Sequence, residues 1–518
     1  MDTSDRPDRQ SWGPPVVVET HGALIFLCGD KAHKVRKPID LGFVDNRTVR
    51  AREEQSHREV ELGRRLAPDV YLGVLQVRRP RPSGGQDDND DEVIDHVVEM
   101  RRLPERESLA WLVREREAGA SRVGDTDIVG GLGEVARQVA RLHADSHRTP
   151  EIDAAGDPGV VAGLWTESLQ HLRGLSVGED APGIVDDIAD LADAYLRGRG
   201  PLLRARIEAG RVVDGHGDLL AADVYLTGDG PRIIDCLEFD DRLRFGDAVL
   251  DIGFLAMDLD RSGATDLAVV VLEAYREASG DDAPASLVHH YMAYRALVRA
   301  KVASIRAAQT DSGGADARLA VELAARAVDG LLRARVRLVL VGGVSGAGKS
   351  TAAAPLAAAL SAELVRSDLV RSDPRRSDVA RREGAEGRYS PEAIAAVYAE
   401  MLDRAAGHLA LGRSVVLDAT WLEPRRRAEA ETVAADAHAE LVEISCTAPR
   451  DELVRRITDR ARAGTDPSEA TVEVLDAQLA DKAPWPDAIE LDTTALDGRD
   501  GDAVQRWAER ELGPLPWA

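Results

Sequence analysis

Residues 337–351 read RLVLVGGVSGAGKST, an apolar run followed by a glycine-rich turn and then by the alanine-rich stretch AAAPLAAAL. The spacing Gly343-x-x-x-x-Gly348-Lys349-Ser350 falls between a predicted strand and a predicted helix, which is the setting in which such a loop holds phosphate. Glycines permit backbone torsions that aim consecutive N–H groups at one anion, and the start of the helix adds its positive dipole end. The expected cradle is Gly343, Ser345, Gly346, Ala347, Gly348, Lys349, Ser350 and Thr351, with Lys349 reaching the β and γ oxygens of ATP and Ser350 ligating Mg²⁺. A glycine-rich turn with no ligand would leave the lysine unexplained.

Downstream of this loop, GRSVVLDATWL reads as a strand that ends in Asp418, placed to hold the metal directly or through water. Between the two, ELVRSDLVR reads as a short strand followed by Asp368 and Arg371. Asp368 either accepts the proton of an attacking hydroxyl, with Arg371 orienting the substrate, or the segment is a helix start capped by Ser367 or Asp368. An arginine-rich helix after LVEISCTAP offers Arg456, Arg460 and Arg462 as lid residues, or else as a solvated face. Residues from about 335 to 500 resemble the small P-loop kinases of the gluconate kinase, zeta-toxin and adenylate-type group. That resemblance implies a substrate-side Asp-x-x-Arg element at Asp368 and Arg371, and a lid arginine, for which Arg460 is the choice.

Upstream of residue 335 the pattern differs. VVVETHGALIFLCGDKAHKVRKPID reads as two or three strands with a turn at Gly29-Asp30. Residues 47–67 read as a surface helix with a thin apolar stripe, and VYLGVLQVRRP and DEVIDHVVEMRRL read as strands around the exposed loop RPSGGQDDNDDE. Helical periodicity dominates from about 105 to 205 and from 248 to 334, and strand-like runs lie between them. Within those runs, VVDGHGDLLAADVYLTGDGPRIIDCLEF sets His216-Gly217-Asp218 ahead of Asp223 and Asp235. One carboxylate to take a hydroxyl proton and two oxygen ligands for Mg²⁺ are what a kinase-like site requires. The chain has six lysines, and KAHKVRKP holds three of them, Lys31, Lys34 and Lys37. Alternation puts Lys34 and Arg36 on one face, so Lys34 is the expected phosphate contact. Its partner is expected from the next helix, at Glu59, with Glu53 and Glu54 as alternatives.

These residues resemble the aminoglycoside phosphotransferase family, a kinase-like fold that also includes choline, fructosamine and homoserine kinases. KVRKPIDLGFVD, RRLAPDVYLGV, HGDL and IDCLEFDDRLRFGD look like a bacterial group in which such a domain is fused to a P-loop kinase, a likeness that would cover nearly the whole chain. The resemblance implies that Asp218 is the catalytic base and Asp235 the principal metal ligand. It further implies that Asp247 and Asp251 buttress the loop, and that VVEMRRLP, near Glu99 and Met100, is the hinge that contacts adenine. At the second metal position, where the family usually has Asn, this chain has Asp223. The expected fold is an α+β protein-kinase-like bilobal domain over 1–334 (N-lobe about 15–103, C-lobe about 104–334), followed by an α/β P-loop domain with a parallel sheet over 335–518.

Composition sets limits on what this arrangement can do. The 518 residues carry 66 Lys plus Arg against 91 Asp plus Glu, a formal charge of −25, which repels phosphate backbones and argues against a nucleic-acid partner. No run is apolar enough to span a membrane, and the N-terminus is polar and acidic where a signal peptide would be basic and then apolar, so a cytoplasmic location is expected. Three distant cysteines support neither a disulfide framework nor a zinc site. The expectation is an enzyme with two ATP/Mg²⁺ sites that transfers phosphate to hydroxyls of small molecules, with a cationic aminosugar permitted by the acidic surface. The rival expectation is a nucleotide sensor in which the N-terminal site is degenerate, a reading favoured by Asp223. A polynucleotide end-healing role would require a basic groove near Asp368.

Overall fold

A computed structural model of the chain describes residues 16–20, 22–40, 44–79, 92–119, 125–174, 181, 183–309, 314–372, 390–463, 471–495 and 501–517. The predicted polar leader and most of the acidic loop near 81–92 lie outside these residues. The chain forms two compact units, Met1–Ala155 with Gly210–Asp281, and Gly156–Ala209 with Asp282–Ala518. These units cut the sequence elsewhere than at residue 335. The division into 1–334 and 335–518 is a functional one and is taken up below as a proposal.

The first unit opens with strands β1 (Val16–Glu19), β2 (Ala23–Cys28), β3 (Lys31–Arg36), β4 (Tyr71–Arg79) and β5 (Glu92–Arg101). They form one antiparallel sheet in the order β1-β2-β3-β5-β4. Gly29, at φ 59°, closes the predicted hairpin between β2 and β3. The helix Val49–Gly63 is capped by the Thr48 side chain and lies between β3 and β4 in the chain. It differs from the expected surface helix, because its buried face is Arg52, Ser56, Glu59, Val60, Leu62 and Gly63. Two of those residues are charged, and the charges are retained because they are paired: Arg52 meets Asp95 at 2.8 Å and donates to the Asn46 carbonyl at 2.9 Å. The core under the sheet is Ala32, Val60, Ala67, Val70, Tyr71, Val98 and Met100.

The rest of this unit is mainly helical, with Leu109–Glu117, Asp125–Ala144, Ala248–Arg261 and Thr265–Ser279 around two short antiparallel pairs. β6 (Val212–Asp214) pairs with β9 (Phe245–Asp247), and β7 (Val224–Thr227) pairs with β8 (Gly230–Ile233). An antiparallel sheet with one helix, followed by a helical lobe carrying two short antiparallel strand pairs, is the expected bilobal kinase-like arrangement.

The second unit is built on a parallel sheet ordered β11-β12-β10-β13-β14, comprising Glu363–Arg366, Val415–Asp418, Arg337–Gly342, Glu440–Thr447 and Ile489–Asp492 respectively. Alternation along β10 sends Val339 and Val341 to one face and Leu338 and Leu340 to the other, and helices cover both. The central strand therefore delivers Gly343 to the carboxyl edge of the sheet, where open α/β sheets bind ligands.

The helices of 156–209 and 282–334 belong to this unit. Tyr195 enters the core on the Leu338 face. Arg199, fully buried, donates to the carbonyls of Leu409, Ala437 and His438, and Ser286 donates to the Gly412 carbonyl at 2.6 Å. Among the described residues no helix is long and apolar enough to cross a membrane.

Candidate functional site

The N-terminal candidate is built on β3. Lys34 Nζ lies 2.9 Å from Glu59 Oε1 and 3.0 Å from Asp235 Oδ1, so strand, helix and the loop after β8 meet at one ammonium group. Of the three glutamates considered, only Glu59 reaches Lys34; Glu54 pairs with Arg50, and Glu53 lies 3.4 Å from His96. Arg36, two residues along the same face, meets Glu59 Oε2 at 2.6 Å and Glu238 Oε1 at 2.7 Å. Lys37 lies past the strand end and pairs with Glu19. Burial works against the Lys34 charge, but Asp235 and then Glu59 outweigh it and raise its pKa well above the ordinary lysine value. Lys34 in turn holds the Asp235 carboxyl below its ordinary range.

Asp235 sits at φ 62°, a left-handed conformation that is costly for a residue with a Cβ and that tends to mark functional sites. Its backbone N–H donates to the buried Tyr71 hydroxyl at 2.9 Å, which helps to hold it there. Its side chain is 56% exposed, whereas that of Glu59 is 2% exposed. Asp235 is therefore the carboxylate that faces solvent.

The predicted catalytic loop is held from behind. The Asp251 carboxylate accepts the backbone N–H groups of His216 and Gly217, the latter at 2.9 Å, and its Oδ2, which takes the His216 N–H, also lies 3.2 Å from His143 Nε2. His216 is buried, contacts the Ile234 carbonyl at 3.0 Å through Nε2, and has a pKa lowered by burial against the pull of Asp251, Asp218 and Asp235. Main-chain bonds from Leu237 N to His216 O (3.1 Å) and from Ile234 N to Asp223 O (2.9 Å) tie the segments of Asp218, Asp223 and Asp235 together. Asp218 and Asp223 are half-buried. The Asp247 side chain caps the helix Ala248–Arg261 by accepting from Val249 N.

Among the described residues, no three His, Cys, Asp or Glu side chains gather into a ready-made metal cage. The donor set still suits Mg²⁺, which is ordinarily held by one or two carboxylates together with substrate phosphates and water.

In the second unit, Gly343, Gly346 and Gly348 lie at φ 139°, 80° and 80°. A Cβ on each would come within 3.0 Å of Cys446 O, Leu453 O and Thr493 Oγ1, so the loop's close approach to its surroundings requires glycine. Ser345 and Ala347 are buried within it, Ser350 and Thr351 are exposed on the first helical turn, and Lys349 Nζ donates to the Val344 carbonyl at 3.1 Å. Burial lowers the Lys349 pKa against the pull of Asp418. Ser350 Oγ donates to Asp418 Oδ2 at 2.7 Å, which brings the two predicted metal residues together, and Arg366 Nε lies 3.3 Å from the same oxygen. These hydroxyl and carboxylate oxygens, beside a cradle that a Cβ would fill, fit a metal-bound triphosphate.

Asp368 and Arg371 pair at 3.0 Å on the short helix Ser367–Arg371. The capping alternative does not hold, because the cap position is Arg366 and no side chain caps the helix. Of the arginines on the helix Arg450–Ala463, Arg460 acts electrostatically on Lys349, whereas Arg462 lies exposed near Asp459. Arg456 donates to Gly346 O at 3.3 Å and to Thr493 Oγ1 at 2.9 Å, bracing the loop from outside.

Two contacts had no sequence signal. The Gln478 side chain accepts the Ser345 N–H at 2.7 Å, occupying a donor of the cradle. Trp421, fully buried at φ 52°, and Trp485 close around Gly342. Glu238 was also missed, although its place three residues after Asp235 was visible.

A protein-family model described as an AAA domain matches residues 338–484. The uncharacterized protein Rv2004c of Mycobacterium tuberculosis (strain H37Rv) is 40% identical over 496 residues, covering 95% of each chain. Among solved structures, a choline/ethanolamine kinase family protein from Mesorhizobium loti is 18% identical, covers 62% of this chain and 92% of its own, and has a TM-score of 0.36. The M. tuberculosis APS kinase CysC is 22% identical, covers 34% of this chain and 96% of its own, and has a TM-score of 0.26.

Proposed function

This chain belongs to the family of the mycobacterial protein Rv2004c, and we propose that it is an ATP-dependent phosphotransferase with two nucleotide sites, acting in the cytoplasm on hydroxyl groups of small molecules. The functional division runs 1–334 and 335–518. The observation that supports this reading is that each unit independently sets a lysine and an aspartate against a loop suited to phosphate: Lys34 with Asp235 in one, and Lys349 with the Ser350–Asp418 pair in the other.

At the N-terminal site, Lys34 orients the α and β phosphates, Glu59 orients Lys34, and Asp218 accepts the acceptor's hydroxyl proton as the phosphoryl group arrives. Asp235 and Asp223 would hold Mg²⁺. At the C-terminal site the amides from Gly343 to Thr351 with Lys349 bind the phosphates, Asp368 accepts the proton and Arg371 orients the acceptor. Arg460 closes on the transferring group, and Ser350 and Asp418 would hold the metal. When bound, the metal supplies charge neutralisation at the transferring phosphoryl oxygens. The net charge of −25 supports small acceptors over nucleic acid and is permissive of a cationic aminosugar.

A second reading is favoured by Asp223, which adds a charge beside Asp218 and Asp235: the N-terminal unit binds nucleotide as a sensor and only the P-loop site turns over. The test is ATP turnover with a metabolite library, scored by mass gain of one phosphate, in the parent chain, in Asp218→Ala and in Lys349→Ala. Two acceptor-dependent products, one lost in each variant, are expected. Turnover and products unchanged in Asp218→Ala would remove the N-terminal activity and leave the sensor.

A further inference from the structure

The ion pairs around β3 form a chain, Asp235–Lys34–Glu59–Arg36–Glu238. Lys34 and Arg36 supply two positive charges, while Glu59, Glu238 and Asp235 supply three negative ones. One nitrogen, Arg36 Nη2, lies between Glu59 Oε2 at 2.6 Å and Glu238 Oε1 at 2.7 Å, and Glu59 gives its other oxygen to Lys34 at 2.9 Å. The Arg36 side chain is 7% exposed and that of Glu238 is 11% exposed, so these are desolvated pairs rather than surface ones.

A nucleotide changes the demands on this chain of ion pairs. If Lys34 turns toward phosphate, it leaves Asp235 and shares itself with Glu59. A buried carboxylate that loses its only cation takes up a proton or moves, and neither outcome would keep Lys34 in place. Arg36 prevents this, because it occupies the Glu59 oxygen that Lys34 does not. Through Glu238 the same guanidinium ties down the segment carrying Asp235, three residues away. Buried Arg52, by contrast, pairs with Asp95, which has no contact with Lys34 or Asp235 among the bonds described.

We infer that Arg36 and Glu238 are positioning residues of the N-terminal site, holding Glu59 in place beside Lys34 and the Asp235 segment against β3 while Lys34 and Asp235 engage the Mg²⁺-bound phosphates. This rests on the nucleotide-binding reading proposed above. Neither residue touches the reacting atoms. Outer residues of this kind commonly change metal affinity by about 10–100-fold when replaced.

The test uses the full chain with Lys349→Ala, which silences the P-loop site, and measures ATP dissociation constants by calorimetry over a MgCl₂ series and in EDTA. Melting temperatures without nucleotide are recorded beside them. Arg36→Met and Glu238→Gln are expected to weaken Mg²⁺-dependent ATP binding by about tenfold or more while changing binding in EDTA less. Arg36→Lys, which keeps the charge, should recover part of the loss, and the Arg36→Met/Glu238→Gln pair should lose less than the product of its single effects. If Arg36→Met melts early, Arg36→Lys and Glu238→Gln decide the matter. Binding within twofold of the parent in those variants, with Lys34→Met abolishing it, overturns the positioning role and leaves the nucleotide site standing. ATP binding that is absent in the parent, or unchanged in Lys34→Met, overturns the nucleotide site itself.

Discussion

Gly346 holds a φ of 80°, and a Cβ there would lie 2.8 Å from the Leu453 carbonyl oxygen and 3.3 Å from Ile457 Cγ1. The left-handed torsion alone costs a residue with a Cβ about 1–2 kcal/mol, and the nearest obstacle is backbone, which cannot swing aside. Gly346→Ala is therefore expected to displace the loop and weaken ATP binding at the C-terminal site by at least about tenfold, read by calorimetry in a Lys34→Met background. This requirement was legible in the sequence, because the glycine spacing encodes torsions that each residue must adopt locally. The Arg456 brace on Gly346 O was not legible. Within a helix whose sequence is arginine-rich throughout, nothing local distinguishes the guanidinium that reaches a loop 110 positions away from those that reach solvent.

The helix Val49–Gly63 shows the same limit at the scale of an element. Its sequence shows charge on nearly every turn, which reads as a solvated surface, yet it buries Arg52 and Glu59. Charge on a helix is buried only where partners await it, and those partners come from β3 and β5. Arg199 is the second case. It lies just after the helix Ile184–Arg197, fully buried with no carboxylate among its described hydrogen-bond partners, and three carbonyls of the sheet-bearing segment take its donors. Hydrogen bonds to a charged group are worth about 1.5–3 kcal/mol each, with part of the sum offset by removing a buried charge. Arg199→Ala is expected to lower the stability of the second unit by about 3 kcal/mol, seen as a lower urea midpoint of tryptophan fluorescence, with ATP binding to the first unit unchanged.

At the scale of the whole molecule, pH acts through buried histidines, two of which are adjacent in the second unit. His289 and His290 are fully buried, and burial lowers both pKa values from 6.5 to about 3. Each uses a ring nitrogen as an acceptor, His289 Nε2 from Trp517 N and His290 Nε2 from Trp165 Nε1, both at 3.2 Å, which requires the neutral ring. In the unfolded chain these residues bind protons below about 6.5, and in the folded chain only near 3. The stabilisation is thus complete above pH 6.5 and is lost as pH falls from there toward 3, at about 1.4 kcal/mol per pH unit for each residue. Urea midpoints measured between pH 7 and 5 should fall accordingly, and His290→Gln, which keeps an acceptor but cannot titrate, should flatten the slope by about 1.4 kcal/mol per pH unit.

The sequence by itself determined the residues of the two candidate phosphate sites and the order of the elements that carry them. The glycine loop, the strand ending in Asp418, the Lys34 face of β3 and the Asp218–Asp223–Asp235 spacing are local statements about torsion, periodicity and reach, and a linear pattern can hold them. Only the tertiary structure decided which charges meet. With 30% of the chain charged, many pairings are available in sequence, and burial selects among them. Glu59 rather than Glu53 or Glu54 reaches Lys34, Arg36 joins Glu59 to Glu238, and the helices of 156–209 and 282–334 join the unit of the parallel sheet. In each case the choice follows from the cost of an unpaired charge or an open apolar face inside the fold, a cost that does not exist until the chain has closed around it.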